Sequence, residues 1–181
     1  MLMPIKIKIC GVCKENTIEF CIDNSIDMIG FVFYQNSPRN ISVSKAKNLF
    51  QEFGNQINIV GLVVDPKESL VKALIDEIGI NIIQFHGNEN LDELLTLKAK
   101  YDIQIIKAMN INVNTDKTEL IEYQNNMDYL LIDAPQPEES TRPGGNGNLF
   151  DWSLTKKLNL DNNWILSGGL SPENVGDAIK I

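Results

Sequence analysis

Short apolar runs recur along the chain, and a stretch with a different hydrophobic period follows each of them. Several runs are nearly continuous, as at residues 60–64 and 129–132. Continuous runs are typical of parallel strands buried on both faces, whereas half-exposed antiparallel strands alternate. Seven strands are therefore predicted, at residues 5–10, 28–33, 57–64, 80–85, 103–109, 129–133 and 164–167.

Between the runs, the apolar residues adopt helical spacing. Two sets follow the i, i+3, i+4, i+7 pattern that indicates an amphipathic helix. A capping residue before a proline predicts further helix starts at Asp65-Pro66 and Ser171-Pro172. The alternation of strand and helix fits either an open doubly wound sheet or a closed (β/α)₈ barrel, and the pattern alone leaves both open. The two helical sets are Ala46, Leu49, Phe50 and Phe53, and Val71, Leu74, Ile75 and Ile78.

Composition narrows the class of protein. With 181 residues, 43% hydrophobic and 22% charged, the chain is predicted to be one soluble domain, and disorder, collagen and coiled coil are excluded. Sixteen Lys and Arg against 24 Asp and Glu give a net charge of −8, which opposes nonspecific binding to nucleic acid or to a membrane surface. An anionic substrate would have to be held by local groups. No apolar run is long enough to span a membrane, and the three cysteines form a poor disulfide framework, which predicts a cytoplasmic location.

Cys10 and Cys13 form a Cys-x-x-Cys motif at the end of the first predicted strand. A thioredoxin-like dithiol is one interpretation, but seven serial βα units do not suit that fold. A zinc site lacks a second paired motif. A single catalytic thiol at Cys10 and two merely buried cysteines both stay open.

Other polar residues stand where predicted strands end, which is where barrel enzymes keep their active sites. Arg39 follows Ser-Pro and is suited to gripping a carboxylate, and His86 is the only histidine in the chain. Asp133 ends an apolar strand, where burial is costly for a carboxylate without a partner or a function.

Glycines mark two further candidate segments. Gly168 and Gly169 lie between the seventh strand and a predicted helix start, an arrangement that predicts an anion or phosphate site. Gly145 and Gly147 lie in the long connection 134–150, which is predicted to be a functional loop because connections of that length are uncommon. Their backbone donors could add to the phosphate site.

Taken in order, these segments resemble the phosphoribosylanthranilate isomerases of tryptophan biosynthesis. The ordered set spans nearly the whole chain. That family is a (β/α)₈ barrel, so the resemblance implies a TIM barrel of which seven strands are present in this chain. The matching stretches are 8–11, 30–33, 37–39, 84–87, 131–133, 144–147, 150–152 and 167–175.

The resemblance also implies a reaction without metal or organic cofactor. In this Amadori rearrangement, N-(5-phosphoribosyl)anthranilate becomes 1-(2-carboxyphenylamino)-1-deoxyribulose 5-phosphate. Asp133 would act as general acid on the ribose ring oxygen, and Cys10 would remove the C2 proton as general base. Arg39 would hold the anthranilate carboxylate. The substrate-binding set is completed by His86, Gly145, Gly147, Gly168 and Gly169.

The length of the chain sets a further expectation. Barrels of this class typically have about 250 residues, so residues 1–181 are expected to form a single barrel domain without its eighth βα unit. A sugar-phosphate-binding barrel without catalytic activity is the alternative from another functional class, and a different sugar-phosphate isomerase is a second alternative. Oligomeric state is not predicted.

Overall fold

The computed structural model of the chain describes residues 5–112, 114–135, 144–145, 147, 150–158, 160 and 163–181. Predicted features that depend on residues 136–143, in the long connection, lie outside the described residues.

Seven strands form one entirely parallel sheet in which spatial order follows chain order. All seven lie where the apolar runs predicted them. A doubly wound sheet reverses its strand order at a switch point, and no such reversal occurs among the described strands. The strands are β1 (Lys8–Cys10), β2 (Met28–Phe33), β3 (Asn58–Val63), β4 (Ile82–Phe85), β5 (Gln104–Asn110), β6 (Tyr129–Asp133) and β7 (Trp164–Leu166).

Helices follow the strands and cover one face of the sheet. Both predicted amphipathic stripes are confirmed, because three of the four residues in each set are buried and the fourth is partly buried. The third helix continues into a π-helical turn at Leu74–Ile78. The helices are α1 (Glu15–Asp23), α2 (Val43–Phe53), α3 (Glu68–Ala73), α4 (Leu91–Tyr101), α5 (Lys117–Asn126), α6 (Ser153–Lys156) and α7 (Val175–Ala178).

Both helix starts predicted from a capping residue and a proline are wrong. Helix α3 begins at Glu68 rather than at Pro66, and Lys67 is its N-cap. The carboxylate of Asp65 is engaged elsewhere, because its Oδ1 accepts a hydrogen bond of 2.7 Å from the backbone N–H of Asn88. Helix α7 begins at Val175, after a turn.

Two hydrophobic clusters show how the sheet is curved. The larger one lies between the strands and the helices. The smaller one joins side chains from the opposite face of β2 to β6. Inward-facing residues of five consecutive strands meet in one cluster only if the sheet curls around them, as in a barrel. The predicted (β/α)₈ architecture, with seven strands in this chain, is therefore confirmed. The inner cluster consists of Met28, Val60, Ile82, Ile106, Ala108 and Leu131.

Candidate active site

The carboxyl ends of the parallel strands meet at one rim, where they surround a cavity of about 130 Å³. Cys10 ends β1, Asp133 ends β6, and His86 directly follows β4. Arg39 reaches the same cavity from the connection after β2. The cavity continues into an open groove between β1 and β7, which Gly147, Gly168 and Gly169 line. The structure thus brings every predicted site residue to one end of the sheet.

Asp133 is a buried carboxylate with 4% of its surface exposed. Its Oδ1 accepts a hydrogen bond of 2.8 Å from the backbone N–H of Ala134. Its Oδ2 lies 3.3 Å from Nε2 of His86, although the angle between the groups falls outside hydrogen-bond geometry. A buried carboxylate needs polar neighbours, and here the N–H of Ala134 holds one oxygen while the imidazole of His86 lies beside the other.

Arg39 lies across the end of β1. Its Nη1 donates a hydrogen bond of 3.4 Å to the carbonyl of Cys10. A Cβ at Gly11 would stand 2.3 Å from Cδ of Arg39, and a Cβ at Gly145 would stand 2.3 Å from Nη2. A side chain at either place would have to displace the arginine from this position. The guanidinium is therefore held between β1 and the long connection, with its planar fork at the cavity.

The segment after β7 approaches the side of the cavity where Asp133 lies. Gly168 has a φ of +85°, and a Cβ there would stand 2.8 Å from the backbone nitrogen of Ala134. Asn174 braces the turn, since its Oδ1 accepts from the N–H of Ser171 at 2.8 Å and its Nδ2 donates to the carbonyl of Gly169 at 2.9 Å. Among the described hydrogen bonds, none has the backbone N–H of Gly168 or Gly169 as donor. Both glycines line the groove, so their backbone N–H groups are candidate anion donors.

The connection after β4 rests on a buried ion pair. Nζ of Lys107 lies 2.8 Å from Oε2 of Glu89, and both side chains are more than nine-tenths buried. Lys107 also donates to the carbonyl of Gly87 at 2.7 Å, and Oε1 of Glu89 accepts from the N–H of Asp65 at 2.9 Å. Such a pair is held by its additional hydrogen bonds. It fixes the backbone directly after His86.

Comparison with known proteins supplies the family. The family model described as N-(5'phosphoribosyl)anthranilate (PRA) isomerase matches residues 7–181 of this chain. The chain belongs to this family. The motif resemblance is thereby confirmed, and with it the predicted function as an aldose–ketose isomerase of tryptophan biosynthesis.

Relatives of the family support the match along nearly the whole chain. N-(5'-phosphoribosyl)anthranilate isomerase of Rhodospirillum rubrum is 37% identical over 180 residues, 97% of this chain and 82% of that protein. The crystal structure of the Thermotoga maritima isomerase superposes with a TM-score of 0.81 at 28% identity, covering 98% of this chain and 83% of that one. A family structure in complex with reduced 1-(o-carboxyphenylamino)-1-deoxyribulose 5-phosphate superposes with a TM-score of 0.76 at 26% identity, covering 98% and 82%.

The two cysteines of the Cys-x-x-Cys motif have different surroundings in this family member. Cys10 lines the cavity. Cys13 packs against the cluster between the strands and the helices. All three cysteines are free thiols. A dithiol requires two sulfur atoms that can meet, so the structure favours the single-thiol interpretation over the redox one.

Two polar residues of the cavity were missed by sequence reasoning. Lys8 and Gln84 both line it, and Nζ of Lys8 donates to Oε1 of Gln84 at 2.8 Å. A signal existed for each. Lys8 shares a strand face with Cys10, because alternate residues point the same way. Gln84 is the one polar residue inside the strand Ile82–Phe85, and a polar group in a buried strand needs a partner.

Neither a metal site nor a membrane span is indicated within the described part of the chain. The described side chains contain no group of three or more His, Cys, Asp or Glu that could hold a metal ion. None of the described helices combines the length and the apolar character needed to cross a bilayer.

Proposed function

We propose that this chain carries out the Amadori rearrangement with Asp133 as general acid and Cys10 as general base. One observation carries the assignment: a buried carboxylate from β6 and a thiol from β1 face the same cavity, together with a guanidinium. These are the groups that the reaction needs, since one proton must reach the ring oxygen and another must leave C2.

In the first step, Asp133 donates its proton to the ribose ring oxygen. The bond from that oxygen to C1 breaks, and the nitrogen lone pair forms an iminium ion. The carboxylate left on Asp133 keeps the hydrogen bond from the N–H of Ala134. Negative charge that appears there during the step therefore meets a fixed donor.

In the second step, the thiolate of Cys10 removes the proton from C2. The C–H electrons neutralise the iminium and give an enolamine, which tautomerises to the ketone. Gly30 faces Cys10 from the neighbouring strand, and a Cβ there would stand 3.0 Å from Sγ. The absence of a side chain at Gly30 leaves the sulfur room beside the substrate.

We assign substrate binding to groups on both sides of Asp133 and Cys10. We assign the anthranilate carboxylate to Arg39, whose fork suits a carboxylate. We assign the phosphate to backbone donors around Gly168 and Gly169, with Gly145 and Gly147 adding donors and His86 contacting the sugar. These local groups supply the attraction that a chain with a net charge of −8 otherwise lacks.

The proposal also covers the location of the protein and its binding partners. We infer a cytoplasmic location from the free thiols. The negative net charge supports a small-molecule partner rather than nucleic acid or a membrane surface. That residues 1–181 belong to a single barrel domain stays a prediction.

Turnover of N-(5-phosphoribosyl)anthranilate, followed by the loss of anthranilate fluorescence, tests the two roles. Cys10→Ser and Asp133→Asn should each lower kcat by roughly 10²- to 10⁴-fold, which is the usual contribution of general acid–base catalysis. Cys13→Ser is the matched control, because that thiol packs outside the cavity. Near-normal turnover by Cys10→Ser or Asp133→Asn contradicts its role, and substrate binding without turnover by the unaltered chain supports the non-catalytic alternative.

Arg39→Ala tests the carboxylate contact. Loss of a charge-assisted hydrogen bond costs about 1.5–3 kcal/mol, so KM should rise roughly 10- to 100-fold while kcat changes less. Lys45→Ala, an exposed cation on α2, serves as the control. An unchanged KM in Arg39→Ala refutes the contact.

A further inference from the structure

Four polar side chains form a row across the floor of the cavity, from β1 to β6. Nζ of Lys8 donates to Oε1 of Gln84 at 2.8 Å. Nε2 of Gln84 lies 3.0 Å from Nδ1 of His86. Nε2 of His86 lies 3.3 Å from Oδ2 of Asp133. The row therefore runs from the ammonium of Lys8, on the strand of Cys10, to the carboxylate of Asp133.

The first residue of the row sets the direction of the hydrogen bond between Gln84 and His86. A lysine ammonium has donors and no acceptor, so the atom of Gln84 that faces Lys8 must be the amide oxygen. The amide nitrogen then faces His86, and it can only donate. Nδ1 of His86 must accept. In a neutral imidazole one nitrogen accepts and the other carries the proton, so the proton of His86 lies on Nε2.

We propose that Lys8 and Gln84 are positioning residues that hold His86 in the Nε2–H tautomer, so that it presents a proton to the carboxylate of Asp133. The distance of 3.3 Å to Oδ2 is short enough for a hydrogen bond after a slight rotation of either group. Once Asp133 has given up its proton, the opposite tautomer would point a lone pair at a carboxylate oxygen, which repels it.

Burial and packing indicate that this arrangement is held firmly. Gln84 is only 1% exposed in the middle of a curled sheet, where an aliphatic side chain would avoid the cost of burying an amide. On the other side of the ring, a Cβ at Gly144 would stand 2.4 Å from Nε2 of His86. The imidazole is thus confined between Gln84 and the backbone of the long connection.

The consequence for catalysis rests on the proposed role of Asp133 as general acid. As its proton leaves, negative charge develops on the carboxylate. Oδ1 already accepts from the N–H of Ala134, and an Nε2–H donor from His86 would stabilise the charge on Oδ2. A preorganised donor at the place where charge develops lowers the barrier.

Nitrogen NMR of the unaltered protein tests the tautomer directly. His86 is the only histidine in the chain, so long-range correlations from the ring protons to the two ring nitrogens belong to one residue. At neutral pH we expect Nε2 to resonate as a protonated nitrogen and Nδ1 as an unprotonated one. A protonated Nδ1, or rapid averaging of the two tautomers, overturns the proposal.

Gln84→Glu tests whether Gln84 sets the tautomer, with little change in size. A carboxylate can accept from Lys8 and His86 at once, so the proton should move to Nδ1, and the nitrogen shifts should report it. Gln104→Glu makes the same change at an exposed position on β5 and should leave the imidazole shifts unchanged. Unchanged shifts in a folded Gln84→Glu protein overturn the proposal. If that variant does not fold, the unaltered protein's spectrum still decides.

Turnover separates this inference from the proposed role of Asp133. Gln84→Glu should lower kcat roughly 10- to 100-fold, the usual effect of altering a group that orients a reacting residue. It should have little effect in an Asp133→Asn background, since the charge it supports is then absent. Shifts that report the changed tautomer with unchanged kcat uphold the tautomer and contradict its effect on catalysis, whereas the role of Asp133 itself is decided by the turnover of Asp133→Asn.

Discussion

The central strands β2 to β6 and the outer strands β1 and β7 share one site but differ in how firmly they are packed. All six residues of β2 are buried. No residue of β7 is fully buried, and Ile9 of β1 is 40% exposed. The acid Asp133 and its neighbour His86 belong to the central region, whereas Cys10 and the glycines of the phosphate segment belong to the outer strands. Among the described residues, the strand that carries the acid is therefore more densely packed than the strand that carries the base.

The largest expected effect is that of breaking the ion pair behind β4 and β5. Lys107→Met leaves Glu89 buried without its cation, which should lower the free energy of unfolding by about 3–5 kcal/mol. Lys100→Met removes the partner of Glu68 in an exposed pair and should cause no measurable loss. Chemical denaturation compares the two variants. Equal losses would contradict the claim that the central region is held by its buried contacts.

An isoleucine-to-alanine substitution in each of the two regions should give the next largest difference in the free energy of unfolding. Ile105 on β5 is fully buried, and Ile9 on β1 is 40% exposed. Ile105→Ala should cost about 2–5 kcal/mol of unfolding free energy, whereas Ile9→Ala should cost less than about 1 kcal/mol. Thermal or chemical unfolding measures both. A loss at Ile9 as large as that at Ile105 would remove the distinction between the regions.

The smallest effect concerns Tyr123 on α5, whose hydroxyl donates to the carbonyl of Glu89 at 3.2 Å. Tyr123→Phe should cost about 0.5–1.5 kcal/mol at neutral pH. Burial first, and then the charge of Glu119, raises the pKa of Tyr123 above its usual 10.0. Its contribution to stability is therefore present below pH 10.0 and lost as pH rises through the raised pKa.

Denaturation at a series of alkaline pH values checks that sign. The unaltered protein should lose stability more steeply than Tyr123→Phe above the pKa of an ordinary tyrosine. Tyr101→Phe is the control on the surface, where the pKa of Tyr101 is raised mainly by its hydrogen bond to Glu68, and solvent screening should make its effect smaller. Parallel pH profiles for Tyr123→Phe and the unaltered protein would contradict the assignment.

The strands were predictable from the sequence because burial on both faces leaves a continuous apolar run that does not depend on distant contacts. The helix starts were less predictable. Asp65 has the side chain of a capping residue, yet its carboxylate bonds to Asn88 from the next connection. A residue with two possible partners cannot be assigned from its own segment, because the choice depends on tertiary structure.

The residues of the site also divide into those that were predictable from the sequence and those that were not. Cys10, Asp133 and His86 were predictable from their positions at strand ends, since parallel strands bring those ends together. Lys8 and Gln84 were not selected, because neither stands at the carboxyl end of its strand. Their importance depends on a hydrogen bond between β1 and β4. These two strands are not neighbours in the sheet, and they approach each other only because the sheet curls.

The central claim is that Asp133 acts in ring opening and Cys10 acts at C2, and a substrate deuterated at the ribose C2 tests it most directly. Cys10→Ser slows proton removal, so its isotope effect on kcat should exceed that of the unaltered enzyme. Asp133→Asn slows the earlier step, so its isotope effect should fall close to unity. The opposite pattern, with a large effect in Asp133→Asn and none in Cys10→Ser, would contradict the assignment of acid and base to the two regions.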